Sequence, residues 1–255
     1  MEHQKLKGSK EILFTYALDA NNELISANDA EKGKKYYCPL CHKEFVLRKG
    51  TKRRHHFAHK VEMFNCNPET LLHKMFKEQA AKYLQNLIDD NDLCLMYWQC
   101  SQCKKEYRGN LLYMVKSLAV EFDLGVCRPD ILLFDSDKRP IIAIEIVVTH
   151  KPEPQVEEYY KKNGIVLCQI NLSSNDDLDY IEEKLLFPDV VNFCLVPDCG
   201  FLENNHHYES YVIDVFKEML PSGNLHNIIK YDHLTPFGRY KTEQHETKPG
   251  KLISP

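Results

Sequence analysis

Two apolar runs, each carrying one acid, constrain this chain more than any other feature. Cys127, Arg128, Pro129 and Asp130 lead into Ile131, Leu132, Leu133 and Phe134; after a short break, Ile141, Ile142, Ala143 and Ile144 lead to Glu145, Ile146 and Val147. Each run is long enough for a buried strand. The break over residues 135–140 is dense in Asp, Ser and Pro, so the pair predicts a hairpin. An ionised carboxylate on so apolar a strand must be paired or hold a metal. Two such acids on adjacent strands form a divalent-cation site suited to hydrolysing phosphodiesters. The acids can also serve as strand-end caps or as partners of Arg128, but their expected burial favours the metal.

The 255 residues suffice for one large domain or a core domain with a smaller appendage. No apolar run approaches the ~20 residues that span a bilayer. The opening segment, Met1 to Lys10, lacks the apolar centre of a signal peptide. The expectation is a cytoplasmic protein with no membrane partner. Ten cysteines in a reducing compartment point to metal rather than disulfides. The net charge of −4 is wrong for a protein that coats nucleic acid. A local basic surface is still available: Lys43, Arg48, Lys49, Lys52, Arg53, Arg54 and Lys60 stand against Glu44 alone.

Residues 11–27 read as a hairpin turning at Asp19 to Asn22. A second two-strand unit follows, turning at Lys49 and Gly50 and bracketed by metal-type residues. Asn67 and Pro68 open the clearest helix, as N-cap and first-turn residue, and apolar positions keep helical period to Ile88. Strands are expected over Leu93 to Trp98, over residues 111–124, on the two acid-bearing runs and over Ile165 to Leu172. Helices are expected over Pro154 to Asn163, Leu178 to Leu186 and Ser210 to Leu220. This order is that of an α/β fold with a mixed sheet flanked by helices.

Cys38 and Cys41 have the spacing of a metal knuckle, with His56 and His59 beyond them. Cys38, Cys41 and His59 are the expected ligands. His56, His55 and Cys66 compete for the fourth place, with His56 entered as a candidate. Cys100 and Cys103 form a second knuckle, whose distant partners are expected to be Cys194 and Cys199. A four-cysteine zinc site of this kind contributes on the order of 10 kcal/mol in small modules. Cys94, Cys127 and Cys168 read as small core residues.

Glu69, His73 and Lys77 recur at i, i+4 and i+8 and line one side of the long helix. An acid, an imidazole and an ammonium in a row suit a metal-dependent nuclease, in which a cation stands near the scissile phosphate. The same spacing is also common on a solvated helix face.

These pieces together resemble the CoiA-like competence protein family and, through it, the PD-(D/E)xK nuclease superfamily. The residues that carry the resemblance are Ala27, Lys35 to Cys41 and His56 to His59; then Glu69, His73 and Lys77; then Arg128 to Asp130, Ile144 and Glu145, Val148 to His150, Gly164 and Ile165, and Ile170 to Leu172. The resemblance implies a restriction-endonuclease-like mixed sheet flanked by helices, with a zinc-ribbon-like N-terminal subdomain. It divides the chain into a zinc region at 1–66, a nuclease-like domain with a second zinc site at 67–220 and an extension at 221–255. It makes Asp130 and Glu145 the metal acids and Glu69 the helix acid. The implied cofactors are structural Zn²⁺ and catalytic Mg²⁺ or Mn²⁺. The implied partners are DNA and other subunits of a DNA-processing or phage-defence complex. The chain departs from the pattern at Val147, where the superfamily's lysine would fall; Lys77 is the expected substitute. A nucleic-acid-binding subunit without catalysis and a zinc-stabilised protein-interaction module are the competing functions.

Overall fold

The computed structural model describes residues 12–61 and 66–194. Five short strands build the N-terminal sheet: β1 (Tyr16–Leu18), β2 (Leu24–Ser26), β3 (Tyr36–Tyr37), β4 (Glu44–Arg48) and β5 (His56–His59). Their order is β2-β1-β3-β4-β5, and every pairing is antiparallel. Strands this short need help from side-chain packing. Phe14, Tyr36, Phe45 and Phe57 supply it, with ring centroids 5.0–5.8 Å apart. These rings share one core with the helix that follows.

That helix, α1, spans Pro68–Asp89. The Asn67 side chain caps it by accepting the Thr70 N–H at 2.7 Å. Leu71, Leu72, Met75, Phe76, Ala80 and Leu84 form its buried stripe. A two-stranded ribbon comes next, β6 (Leu95–Gln99) with β7 (Glu106–Asn110).

The second sheet holds the acids. Its strands are β8 (Ser117–Val120), β9 (Ile131–Phe134), β10 (Pro140–Val147), β11 (Val166–Asn171) and β12 (Val190–Val191), in the order β12-β11-β10-β9-β8. The β10–β11 pair is parallel, and α2 (Pro154–Lys162) makes the crossover. The other pairs are antiparallel, so the sheet is mixed and the fold is α/β. Period-2 alternation divides its side chains between two layers. Ile131, Leu133, Ile142, Ile144, Cys168 and Ile170 pack into the core shared with α1. Leu132, Ala143 and Leu167 pack with Tyr160 on the α2 side. Each of these large aliphatic side chains contributes roughly 1.5–3 kcal/mol by leaving water.

Two expected elements differ in detail. Residues 111–124 are not one strand. The Asn110 side chain accepts the N–H groups of Cys94 and Leu112, at 3.0 Å each, and turns the chain so that Leu111 and Leu112 enter the core; β8 starts only at Ser117. The helix expected over 178–186 is split into a 3-10 turn (Asn175–Asp179) and α3 (Ile181–Leu186), because Tyr180 leaves helical geometry at φ −128°, ψ 38°. The helix expected over Ser210 to Leu220 lies outside the described residues. No helix among the described residues is long and apolar enough to cross a membrane.

Candidate active site and metal centres

The last paired position of β9 and β10 is Ile131 with Ile144. Continued by one residue, that register sets Asp130 opposite Glu145 at the end of the hairpin. Both acids line one cavity of about 280 Å³, together with His73, Cys127, Val147 and His150. They take their hydrogen bonds from different helices.

Asp130 is turned towards α1. Its Oδ2 lies 3.0 Å from His73 Nε2 and accepts the Ile146 N–H at 2.9 Å; its Oδ1 accepts from Lys77 Nζ at 3.2 Å. Burial pushes this carboxyl up, but His73, the Ile146 N–H and Lys77 outweigh it and hold the group below its ordinary value. Lys77 is only 6% exposed and also pairs with Glu121. Burial pulls its ammonium down, yet Glu121 and Asp130 together keep it raised.

Glu145 is held from α2, where the Tyr160 hydroxyl donates to Oε1 at 2.6 Å. Burial pushes the Glu145 carboxyl up to about 7; the Asp130 charge adds to the push, and the Tyr160 hydroxyl opposes it. Two neighbouring acids with pKa values driven apart is the pattern of groups suited to different roles.

Glu69 stands at the N-terminal end of α1, where its Oε2 accepts from the Thr149 hydroxyl at 3.3 Å. Thr149 also contacts His150 Nδ1 at 2.9 Å. The helix row of Glu69, His73 and Lys77 therefore runs from the β10–α2 loop to Asp130.

The N-terminal cysteine knuckle closes around a second histidine-and-sulfur centre. Cys38, Cys41, His59 and Cys66 bring their ligand atoms within 4.8 Å of one another. Cys38 and Cys66 Sγ are 3.3 Å apart, His59 Nε2 is 3.3 Å from Cys66 Sγ, and Cys41 Sγ is 3.8 Å from His59 Nε2. A tetrahedral ion with Zn–S bonds near 2.3 Å spaces its sulfur ligands about 3.8 Å apart, so the group can hold a metal such as zinc. Burial lowers the His59 pKa, which favours the neutral, ligating imidazole. Residues 19–68 match the competence protein CoiA N-terminal domain.

That match takes in all four ligands of the CoiA-type knuckle and ends where α1 begins. It supports the resemblance to CoiA-like competence proteins over this segment. No curated protein and no solved structure matches the chain. Within the CoiA-type domain the fourth ligand place falls to Cys66 and not to His56. His56 and His59 lie three positions apart on β5, so they project from opposite faces of the strand. His56 Nδ1 contacts the Arg54 carbonyl instead. Nor does His55 join the group.

Cys100, Cys103 and Cys194 form a second group, with Cys103 and Cys194 Sγ 3.5 Å apart and the Tyr107 hydroxyl 3.3 Å from Cys194 Sγ. Cys199 lies outside the described residues. The two knuckles are the same turn. In the CoiA-type one, the Cys38 N–H donates to Lys43, the His42 N–H donates back to Cys38, and His42 has φ 55°. In the second, the Cys100 N–H donates to Lys105, the Lys104 N–H donates back to Cys100, and Lys104 has φ 61°. A non-glycine residue in the left-handed region is uncommon, and its repetition marks a turn shaped for a shared purpose.

Two features went unread in the sequence. Glu121 ends β8 at φ 52° and pairs with Lys77, a strained position that leaves no local sequence signal. Tyr160, one of a tyrosine pair on α2, reads there as ordinary amphipathic packing. Cys127 packs against the α2-side core as expected and also lines the cavity, and Cys94 and Cys168 are buried as expected.

Proposed function

We propose that the chain is a Mg²⁺- or Mn²⁺-dependent DNA nuclease of the PD-(D/E)xK type, carrying a zinc-stabilised CoiA-like N-terminal domain. The observation that carries this reading is the pairing of Asp130 and Glu145 across β9 and β10 in one cavity, with Lys77 delivered to Asp130 from α1. The donor set fits a hard dication. It is oxygen-rich, and the Asp130 charge, which helps to raise Glu145 to about 7, is the repulsion a bound cation relieves.

Asp130 and Glu145 would hold the ion. When bound, a divalent cation polarises the phosphoryl group and lowers the pKa of a water. Val147 lines the cavity without a polar atom, and Lys77, behind Asp130, would add positive charge to the site through that carboxylate. His73 keeps Asp130 oriented, and Tyr160 fixes Glu145. The Cys38 and Cys100 groups are read as structural zinc sites. DNA processing or phage defence is the setting this chemistry suits.

A second reading, nucleic-acid binding without cleavage, is favoured by Val147 and by the full engagement of both Asp130 oxygens. Titration of Mn²⁺, followed by loss of the free-ion resonance, separates the two. One site that disappears in Asp130→Asn and Glu145→Gln is the nuclease result; no binding in the wild type is the other.

A further inference from the structure

The loop between β8 and β9, residues 121–130, is firmly built but apolar at its tip. The Asp123 carboxylate accepts the Gly125 N–H at 2.8 Å and pairs with Arg128 at 3.1 Å; the Leu124 N–H reaches the Cys127 carbonyl at 3.0 Å. Gly125, at φ 80°, makes the turn that these bonds require. A loop so tied has a preset shape. Even so, it leaves two large apolar side chains in water, Phe122 at 45% and Val126 at 62% exposure, next to Val120 at the end of β8 at 42%.

Single exposed apolar residues are ordinary on a protein surface. Three within seven positions, two of them on a constrained loop, are not. Phe122 is braced by Phe134, with ring centroids 5.3 Å apart and planes at 76°, so the exposed ring is held in place. The loop is continuous with the cavity. Its first residue, Glu121, pairs with Lys77, and its last residues, Cys127, Arg128 and Asp130, line the acid cavity. Arg128 and Lys151 add cationic side chains at that same cavity.

We infer that this loop is a stacking platform for the unpaired bases of single-stranded DNA entering the acid cavity. The inference rests on the nuclease reading and names its substrate class. Every base has an apolar π-face, and aromatic and aliphatic side chains bind it without regard to sequence. In a duplex those faces are occupied by neighbouring bases, so a rigid Phe122 and Val126 find partners only where the strand is unpaired. Lys151, with Arg128 beyond its pair to Asp123, matches the phosphates that accompany such a strand. An apolar peptide would fit the tip but would leave Lys151 without a counterpart.

The test is fluorescence anisotropy in buffer with no added Mg²⁺ or Mn²⁺ and no chelator, which removes cleavage from the measurement and leaves the cysteine groups undisturbed. The probes are a labelled oligothymidine of about 20 nucleotides and a blunt hairpin duplex. The proteins are the full-length wild type, Phe122→Ala, Phe122→Leu and Val126→Ser. Phe122→Ala is expected to weaken oligothymidine binding about tenfold, the scale of one lost stacking contact, with duplex binding unchanged. Phe122→Leu keeps the packing on Phe134 and is expected to recover part of the loss. Oligothymidine binding equal to wild type in both Phe122→Ala and Val126→Ser overturns the inference. So does an equal loss on the duplex. If the loop variants lose single-strand binding while the wild type leaves DNA intact with every divalent ion, the nuclease reading fails and the platform stands.

Discussion

Asp130 and Glu145, opposed across β9 and β10, are driven in opposite directions: His73, Ile146 and Lys77 keep Asp130 ionised, while burial beside that charge lifts Glu145 to about 7. The folded chain thus carries an acid that favours its proton. Between the ordinary value of 4.5 and about 7, the fold binds more protons at Glu145 than the unfolded chain does, so this group's contribution falls as pH rises through that window. Glu145→Gln removes the penalty. Without added Mg²⁺ or Mn²⁺ at pH 8, the variant is expected to exceed wild type by on the order of 2–3 kcal/mol in urea unfolding, and to match it near pH 4. A variant no more stable than wild type at pH 8 contradicts this.

Lys77 is buried between two acids, so its removal bears on stability as well as on the proposed cleavage. The sequence alone suggests that Lys77→Met spares folding. With Lys77 buried against Asp130 and Glu121, its loss leaves an acid short of its cation. The expected cost is about 3–5 kcal/mol, together with a sharp drop in cleavage. The double variant Lys77→Met with Asp130→Asn should regain most of the stability and none of the activity, because no unpaired charge is left behind. Urea unfolding beside a plasmid assay reads both; wild-type stability in the single variant refutes the pairing.

The N-terminal centre predicts a clear contrast in metal content. Cys66→Ser should lose about one equivalent of zinc by elemental analysis, whereas His56→Ala should lose none, since His56 faces away from the group. The opposite result would put the ligand set back where the sequence spacing had it.

Asp135 organises the hairpin that presents both acids. It is 3% exposed and accepts the N–H groups of Asp137 and Arg139 at 2.9 Å each and the Arg139 guanidinium at 2.8 Å. Burial raises its carboxyl, but these bonds outweigh it and hold the group below 3.8. Its contribution is therefore complete above about pH 4 and is lost as pH falls through the lowered value. Asp135→Ala should cost roughly 1–3 kcal/mol at pH 7 and less in stronger acid. An equal cost at every pH would count against the bonded carboxylate as its source.

The two acid-bearing strands, the strand before helix α3, the long helix and both knuckles were legible because each follows from a local rule: an apolar run, an Asn-Pro cap, a Cys-x-x-Cys turn; the short β7 and β12 were not. Asp130 and Glu145 stood out because acids seldom sit on such apolar runs. Cys66 was one of three competitors for the fourth place, because spacing alone does not choose among them, and strand parity argued against His56. Glu121 and Tyr160 were hidden because nothing local marks them; the folding of β8 and α2 against the cavity gives them their partners. The turn at Asn110 overrode the strand pattern of residues 111–124, since Leu111 and Leu112 gain more in the core than on a sheet edge.

The central claim is that Asp130 and Glu145 form a metal-dependent phosphodiester-cleaving centre. Its most direct measurement compares wild type, Asp130→Asn and Glu145→Gln, purified alike, on labelled single-stranded, linear duplex and plasmid DNA with Mg²⁺, Mn²⁺ or EDTA. The account predicts cleavage by wild type with a divalent ion, none in EDTA, and a loss of at least about a hundredfold in each variant. Cleavage that survives in both variants, or intact DNA with every ion while zinc content is full, would contradict it.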